Sequence, residues 1–211
     1  SFTVNVNVGS YFPTTTLFEE TVPSNAMPAS LSNSSTPTPS GDWRASNIAS
    51  HSASYAMFAP NLSASSDQRL LTQNSIALPA NTSPRLSFWH SFDTEAGWDG
   101  GIVELTTNNG VTWRDLGQYM FTNGYNGQIG TNPDNVLSGK NAFTGNTNNT
   151  FINTWAKLNN FAGQNIKLRF RFASDANTSG DGATPGWFID DIVIINQALV
   201  DMRSGLHNST N

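Results

Sequence analysis

The chain has 211 residues with a net charge of −5, and only 12% of its residues are charged, compared with about 25% in an average globular protein. Lys and Arg are few and form no cluster, which argues against nucleic acid or an anionic membrane surface as a partner. Because there is no cysteine, disulfides, thiolate metal sites and cysteine nucleophiles are excluded, and no apolar run approaches the ~20 residues of a membrane span.

Short β-prone segments recur along the chain, separated by Gly, Pro, Asn and Ser. In chain order, strands are predicted over residues 1–8, 52–58, 69–78, 85–92, 102–107, 111–116, 154–158, 166–172 and 186–195. The segments 22–41 and 117–150 are predicted as long loops, the second with one short strand. No window has sustained helical periodicity. The sequence therefore predicts an all-β jelly-roll sandwich of two antiparallel sheets, as one domain over residues 1–211 with a polar tail from 196.

One hairpin is predicted with particular clarity. Asn109 and Gly110 stand between the runs 102–107 and 111–116. Both residue types tolerate positive φ, which the tight turns of β hairpins require. The two runs are therefore predicted to pair as antiparallel neighbours.

The most apolar run of the chain, 186–195, contains two adjacent carboxylates, Asp190 and Asp191. Apolar residues at both odd and even positions predict a strand buried on both faces. A charge inside such a strand costs several kcal/mol unless it is paired or bound to a metal. A divalent cation is one explanation, and pairing with Arg169 or Arg171 is the alternative.

Several motifs together resemble the MAM-like, "choice-of-anchor J" jelly-roll domains, which accompany immune-inhibitor-A-type secreted metalloproteases and many bacterial surface proteins. The resemblance covers residues 17–195. It rests on Phe18-Glu19, on the block from Asp99-Gly100-Gly101 to Asn109-Gly110 and Trp113, and on Gly186-Trp187-Phe188-Ile189-Asp190-Asp191-Ile192. The resemblance implies a β sandwich with a structural calcium and a non-catalytic role.

In domains of this kind, the Glu of the early Phe-Glu pair and an Asp of the last strand meet at one ion. The resemblance thus implies calcium between the start of the fold and its last strand, held here by Glu19 and by Asp190 or Asp191. Glu20 and Asp42 are further candidate ligands of the same ion. Calcium takes 6–8 oxygen ligands, and this chain offers carboxylates in loops rich in Gly and Asn.

Four residues are candidates for binding a further ligand: Trp98, Asp99, Tyr125 and Trp155. Aromatic rings can stack on sugars, and the glycines after Asp99 allow close backbone approach. The competing interpretation places the aromatic residues in the core and makes Trp98–Gly101 the turn that begins a strand.

Catalysis has little support. His51, His90 and His207 are far apart in the sequence, and neither a His-Glu-x-x-His helix nor a Gly-x-Ser-x-Gly elbow is present. We therefore predict a non-enzymatic, calcium-stabilised accessory or adhesion module of a secreted or cell-surface bacterial multidomain protein, associated with a protease. A carbohydrate-binding module is the alternative. The expected partners are neighbouring domains of a longer parent chain and an extracellular protein or glycan.

Overall fold

The chain folds almost entirely into antiparallel β strands. The computed structural model describes residues 14–36, 42–52, 54–177 and 180–197. In chain order the strands are β1 (Thr14–Glu20), β2 (Leu31–Thr36), β3 (Arg44–Ser46), β4 (Ala56–Pro60), β5 (Ser66–Thr72), β6 (Ile76–Ala77), β7 (Arg85–Asp93), β8 (Gly100–Thr106), β9 (Arg114–Asp115), β10 (Met120–Thr122), β11 (Gly127–Gln128), β12 (Asn141–Ala142), β13 (Ile152–Lys157), β14 (Asn165–Ser174) and β15 (Gly186–Gln197).

Two large sheets form the sandwich. Sheet I has the order β10-β13-β7-β15-β4-β3, and β1 also pairs with β15. Sheet II has the order β2-β5-β14-β8-β9, and β6 pairs with β14. All of these pairings are antiparallel, so the prediction of a β sandwich is confirmed. Within the described residues, no helix has the length and apolar character that a membrane crossing requires.

The core lies between the sheets and is centred on Trp187 of β15, which is fully buried. Its ring centroid lies 5.6 Å from that of Trp43 and 6.1 Å from that of Phe170 on the opposite sheet. Gly101 on β8 faces the same ring, and a Cβ there would come within 2.3 Å of it. A Cβ on Gly100 would likewise lie only 2.5 Å from the carbonyl oxygen of Phe143. Packing therefore requires glycine at both of the first two positions of β8.

The strand predictions hold in the middle and at the end of the chain and need correction elsewhere. The predicted hairpin is present, with Glu104 opposite Asp115 and Leu105 opposite Arg114, and with positive φ at Asn109 and Gly110. The predicted loop 22–41 contains β2, and the predicted strand 69–78 begins earlier and divides into β5 and β6. Strand β1 was missed, while the predicted strand 1–8 lies outside the described residues, as does the predicted tail beyond 197.

The long segment 117–150 is more structured than predicted. It contributes β10 to sheet I and forms the separate hairpin β11-β12. Ile129 and Leu137 are fully buried against Ile102 and Ala173, which lie on β8 and β14. The segment therefore covers part of the outer surface of sheet II.

Candidate cation site and neighbouring pocket

Asp190 and Asp191 hold a neighbouring loop. The carboxylate of Asp190 is fully buried and accepts backbone N–H bonds from His51 (2.9 Å), Ser52 (3.0 Å) and Asp191 (2.8 Å). Burial raises the pKa of Asp190, and these amide bonds oppose that rise. Asp191 contacts Nδ1 of His51 at 2.6 Å and accepts a 2.6 Å bond from the hydroxyl of Ser52. These contacts account for both acids without an ion.

The other predicted calcium ligands are placed as follows. Strand β1 pairs directly with β15, so the predicted proximity of the two segments is confirmed, with Glu19 opposite Val193 and Glu20 opposite Ile192. Glu19 is exposed, whereas Glu20 is buried and accepts bonds from the Val22 amide and the Ser30 hydroxyl.

Asp42 has one buried carboxylate oxygen without a hydrogen-bond partner. Calcium at Glu19, Glu20, Asp42, Asp190 and Asp191 stays a prediction. The Arg pairing weighed as its alternative is wrong, because Arg169 pairs with Glu104 and Arg171 with Asp67.

A different set of acids comes together at one end of the sandwich. One carboxylate oxygen from each of Glu95, Asp99 and Asp175 lies within 4.8 Å of the other two. Among the described residues, these three acids are close enough together to hold a metal ion. None of the five predicted calcium ligands belongs to this group. Asp99 is one of the predicted ligand-binding residues, whereas Glu95 and Asp175 are not among the predicted site residues.

Strand register explains why these acids meet. Glu95 and Asp99 lie in the tight turn between β7 and β8, where the amides of Trp98 and Asp99 both donate to the carbonyl of Glu95. Asp175 directly follows β14, whose Ala173 lies opposite Gly100 of β8. The antiparallel pairing therefore places the end of β14 beside the turn, and the Asp175 amide donates to Oδ1 of Asp99 at 2.7 Å.

Asp99 is the most unusual acid of the group. It is fully buried, and its Oδ2 has no hydrogen-bond partner. Burial raises the pKa of Asp99 to about 7, because the desolvation of the carboxylate outweighs the amide bond from Asp175. The amide of Asn61, itself buried, is close enough to lower the pKa of Asp99, although no hydrogen bond of good geometry joins the two side chains.

An open pocket of about 500 Å³ adjoins the acids. It is lined by Glu95, Trp98, Thr131, Asn132, Asp134, Asp175, Ala176 and Asn177. Trp98 is 43% exposed, so it is not enclosed in the core. Asn132 donates to Oδ2 of Asp175 at 2.8 Å and connects the pocket wall to the acids.

The four predicted ligand residues do not form one site. Tyr125 packs against Phe143 with a centroid distance of 4.9 Å, and its hydroxyl donates to Asp115 at 2.9 Å. Trp155 lies on β13 and pairs with Ser87 of sheet I, away from the turn that carries Trp98 and Asp99. Of these four residues, Trp98 is therefore the exposed aromatic residue, and it stands beside polar groups in a pocket.

Comparison with known structures identifies the fold. No protein-family model matches the chain, and no curated protein matches it. The K1 adhesin domain of Lys-gingipain from Porphyromonas gingivalis W83 superposes with a TM-score of 0.51 at 17% identity, over 89% of this chain and 99% of that domain. The K3 adhesin domain of the same protein gives 0.53 at 18% identity, over 85% and 99%.

A xylan-binding domain of Paenibacillus barcinonensis gives a TM-score of only 0.47 at 11% identity, over 88% of this chain and 97% of that domain, and we draw nothing from it. The class that the fold defines is thus a two-sheet antiparallel β-sandwich domain, which the gingipain adhesin domains share. Membership of the MAM-like group stays a prediction.

Proposed function

We propose that this chain is a non-catalytic adhesion module of a secreted or surface-attached bacterial protein, and that it binds glycans through the pocket beside Trp98. The observation that carries the proposal is the exposed indole of Trp98 at the edge of a pocket lined by Thr131, Asn132 and Asn177. A sugar ring presents an apolar C–H face, which stacks on an aromatic ring, and hydroxyls, which need hydrogen-bonding partners at fixed positions.

The rest of the proposal concerns the parent protein. The two gingipain neighbours are adhesin domains of a Lys-gingipain, and they motivate the proposed adhesive role. The proposed association with a protease rests on the sequence resemblance to the MAM-like domains. Neighbouring domains of a parent chain, extracellular localisation and a structural calcium belong to the same proposal. The sequence of the full-length parent protein would test directly whether neighbouring domains are present.

The binding test uses affinity electrophoresis and pull-down on a panel of plant, algal and bacterial polysaccharides. We expect retention of the wild-type chain on at least one of them and a loss of about tenfold or more in affinity for Trp98→Ala, equivalent to about 1.4 kcal/mol. Trp155→Ala is the matched control, because this residue lies on sheet I away from the pocket.

Three outcomes would count against this assignment. Binding that survives Trp98→Ala but is lost in Trp155→Ala would move the ligand to the surface of sheet I. Equal binding by both variants would exclude both surfaces. An absence of retention on the whole panel would leave adhesion to an extracellular protein as the remaining form of the proposal, tested by binding to host or bacterial surface proteins.

A further inference from the structure

We propose that Glu95, Asp99 and Asp175 form a calcium site at the end of the sandwich, beside the buried side chain of Asn61. This site differs from the one that the sequence predicts at Glu19, Glu20, Asp42, Asp190 and Asp191. It goes beyond the proposed function, since it concerns the stability of the fold and does not depend on any glycan ligand.

The geometry suits one ion. Calcium binds oxygen at about 2.3–2.6 Å, so two ligand atoms on opposite sides of one ion are about 5 Å apart. The carboxylate oxygens of Glu95, Asp99 and Asp175 are mutually within 4.8 Å, so one point lies within about 2.8 Å of all three, and small side-chain movements would bring them to bonding distance.

Unpartnered buried atoms give independent support. Buried polar atoms are nearly always hydrogen-bonded, and an exception requires an explanation. Oε2 of Glu95, Oδ2 of Asp99 and both amide atoms of Asn61 have no hydrogen-bond partner. Asn61 is 8% exposed and Asp99 is 0% exposed, so neither is served by bulk water. A cation at this point would satisfy the carboxylate oxygens of Glu95 and Asp99 together.

The charges also call for a counterion. The acids at Asp67 and Glu104 are equally buried, and each is paired with an Arg of β5 or β14. In the described part of the chain, no Lys, Arg or His forms an ion pair with the Glu95–Asp99–Asp175 group; the hydrogen-bond donors to Asp99 and Asp175 are the amides of Asp175, Asn132 and Asn177. Three carboxylates at this distance repel one another strongly unless positive charge or protons compensate.

The ligand types favour calcium over other metals. Carboxylate oxygens without His or Cys suit hard cations, and zinc or copper would prefer nitrogen or sulfur. Glu95 and Asp175 also line the open pocket. Water can therefore complete the 6–8 ligands that calcium takes, whereas magnesium demands a stricter octahedron.

The test compares metal binding and thermal stability in single variants after removal of metal with EGTA. Terbium serves as a calcium mimic, because the indole of Trp98 beside the site can sensitise its luminescence. For the wild-type chain we expect terbium luminescence that calcium displaces. Calcium at about 100 times its Kd should raise Tm by ~5–10 °C, and magnesium should raise it much less.

Asp99→Asn is the decisive variant. It removes an uncompensated buried charge, so we expect the metal-free variant to melt at or above the wild-type temperature while its response to calcium falls at least tenfold in affinity. A variant that keeps its melting temperature but no longer responds to calcium has lost a calcium ligand. Replacement of a residue needed only for folding would instead lower the melting temperature. Asp175→Asn should lose the response too. Asp134→Asn, in the same pocket but outside the group of acids, is the matched control and should respond like the wild-type chain.

Two results would overturn the inference. The first is a wild-type chain that shows neither terbium luminescence nor a calcium-dependent Tm. The second is an Asp99→Asn variant with an unchanged calcium response; loss of that response in Asp191→Asn instead would place the ion at the site predicted from the sequence. Neither result bears on the glycan test, which is carried out at Trp98 and has its own readout.

Discussion

The indole N–H of Trp187 donates to Nδ1 of His90 across 3.1 Å in the middle of the sandwich. Since Nδ1 accepts, the proton of the neutral imidazole is on Nε2, which lies 2.8 Å from the hydroxyl oxygen of Thr154. The Thr154 hydroxyl in turn donates to the carbonyl of Asn123 at 2.6 Å. This chain of bonds satisfies every polar atom of His90 in its neutral form and gives it a structural role.

We predict that His90 makes the fold sensitive to acid. Burial lowers the pKa of His90 from 6.5 to about 3. Below pH 6.5 the unfolded chain takes up a proton at His90 that the folded chain does not, and this proton favours the unfolded chain. The free energy of unfolding is therefore unaffected by His90 above pH 6.5 and falls progressively between pH 6.5 and pH 3. Between about pH 7 and pH 5 the expected loss is on the order of 2 kcal/mol, measured by urea unfolding.

His90→Gln is the variant that isolates this effect. It should be less stable than the wild-type chain at pH 7, because the Trp187–Thr154 connection is disturbed, but its stability should fall less between pH 7 and pH 5. His51→Gln is the control on a partly exposed histidine. Identical pH profiles for the wild-type chain and His90→Gln would show that His90 is not the group responsible.

A second prediction concerns Gly101. A methyl group at this position would lie 2.3 Å from the ring of Trp187, which is fully buried and has no room to move. Overpacking of a core typically costs about 1–3 kcal/mol, occasionally more, and we expect Gly101→Ala to reach at least the upper part of this range in chemical denaturation. Gly130→Ala, whose Cβ would meet nothing closer than 3.5 Å, should be nearly neutral; an equal loss in both variants would contradict the packing argument.

A third prediction concerns the ion pairs on the outer surface of sheet II. Burial alone would raise the pKa of Asp67, but Arg171 and Arg69 outweigh it and hold the pKa below 3.8. The contribution of Asp67 to stability is therefore complete above pH 3.8 and is lost as the pH falls through the lower, folded-state value. We expect Asp67→Asn to destabilise the chain by about 3 kcal/mol at pH 7, since two Arg side chains lose a buried partner.

Thermal denaturation of Asp67→Asn beside Asp134→Asn, a change at an exposed acid, provides the measurement. The difference between the two variants should shrink as the pH is lowered below about 4. A pH-independent difference would mean that charge is not what Asp67 contributes.

A fourth prediction concerns the loop that Asp190 holds. Replacing Asp190 with Ala leaves the amides of His51 and Ser52 without their acceptor, at a cost of about 0.5–1.5 kcal/mol for each hydrogen bond, because water can reach these partly exposed donors. Hydrogen exchange should accelerate at these two amides. In Asp191→Ala they should remain protected, because Asp191 contacts only the side chains of the two residues. Unchanged exchange in Asp190→Ala would refute this role.

The last strand shows how local sequence pattern can mislead. Trp187 and Ile189 are buried before the two acids, and Ile192 and Ile194 are buried after them. The inward positions thus change from odd to even, because the register shifts between Asp190 and Val193 and Asp191 adopts a φ of 46°. After this β bulge the inward residues stand at even positions. Before it the prediction of burial on both faces holds, because Phe188 is also buried and stacks on Phe58 on the other face of the sheet.

The calcium prediction illustrates the same limit for sites. Acids in an apolar strand do need compensation, and the sequence identified that need at Asp190 correctly. It could not show that amides of a loop about 140 positions earlier meet this need. The Glu95–Asp99–Asp175 group was missed for a related reason, since a separation of 76 positions between Asp99 and Asp175 gives no local signal that two residues touch.

The fold class, the hairpin at Asn109-Gly110 and the strand at residues 166–172 could be predicted from the sequence, because strand periodicity and turn chemistry depend on residues a few positions apart. Only the tertiary structure decided the pairing partners of the strands, the bulge in β15 and the choice of acids that meet at the end of the sandwich. These features depend on contacts between distant segments, whose positions are set by the packing of two whole sheets around Trp187.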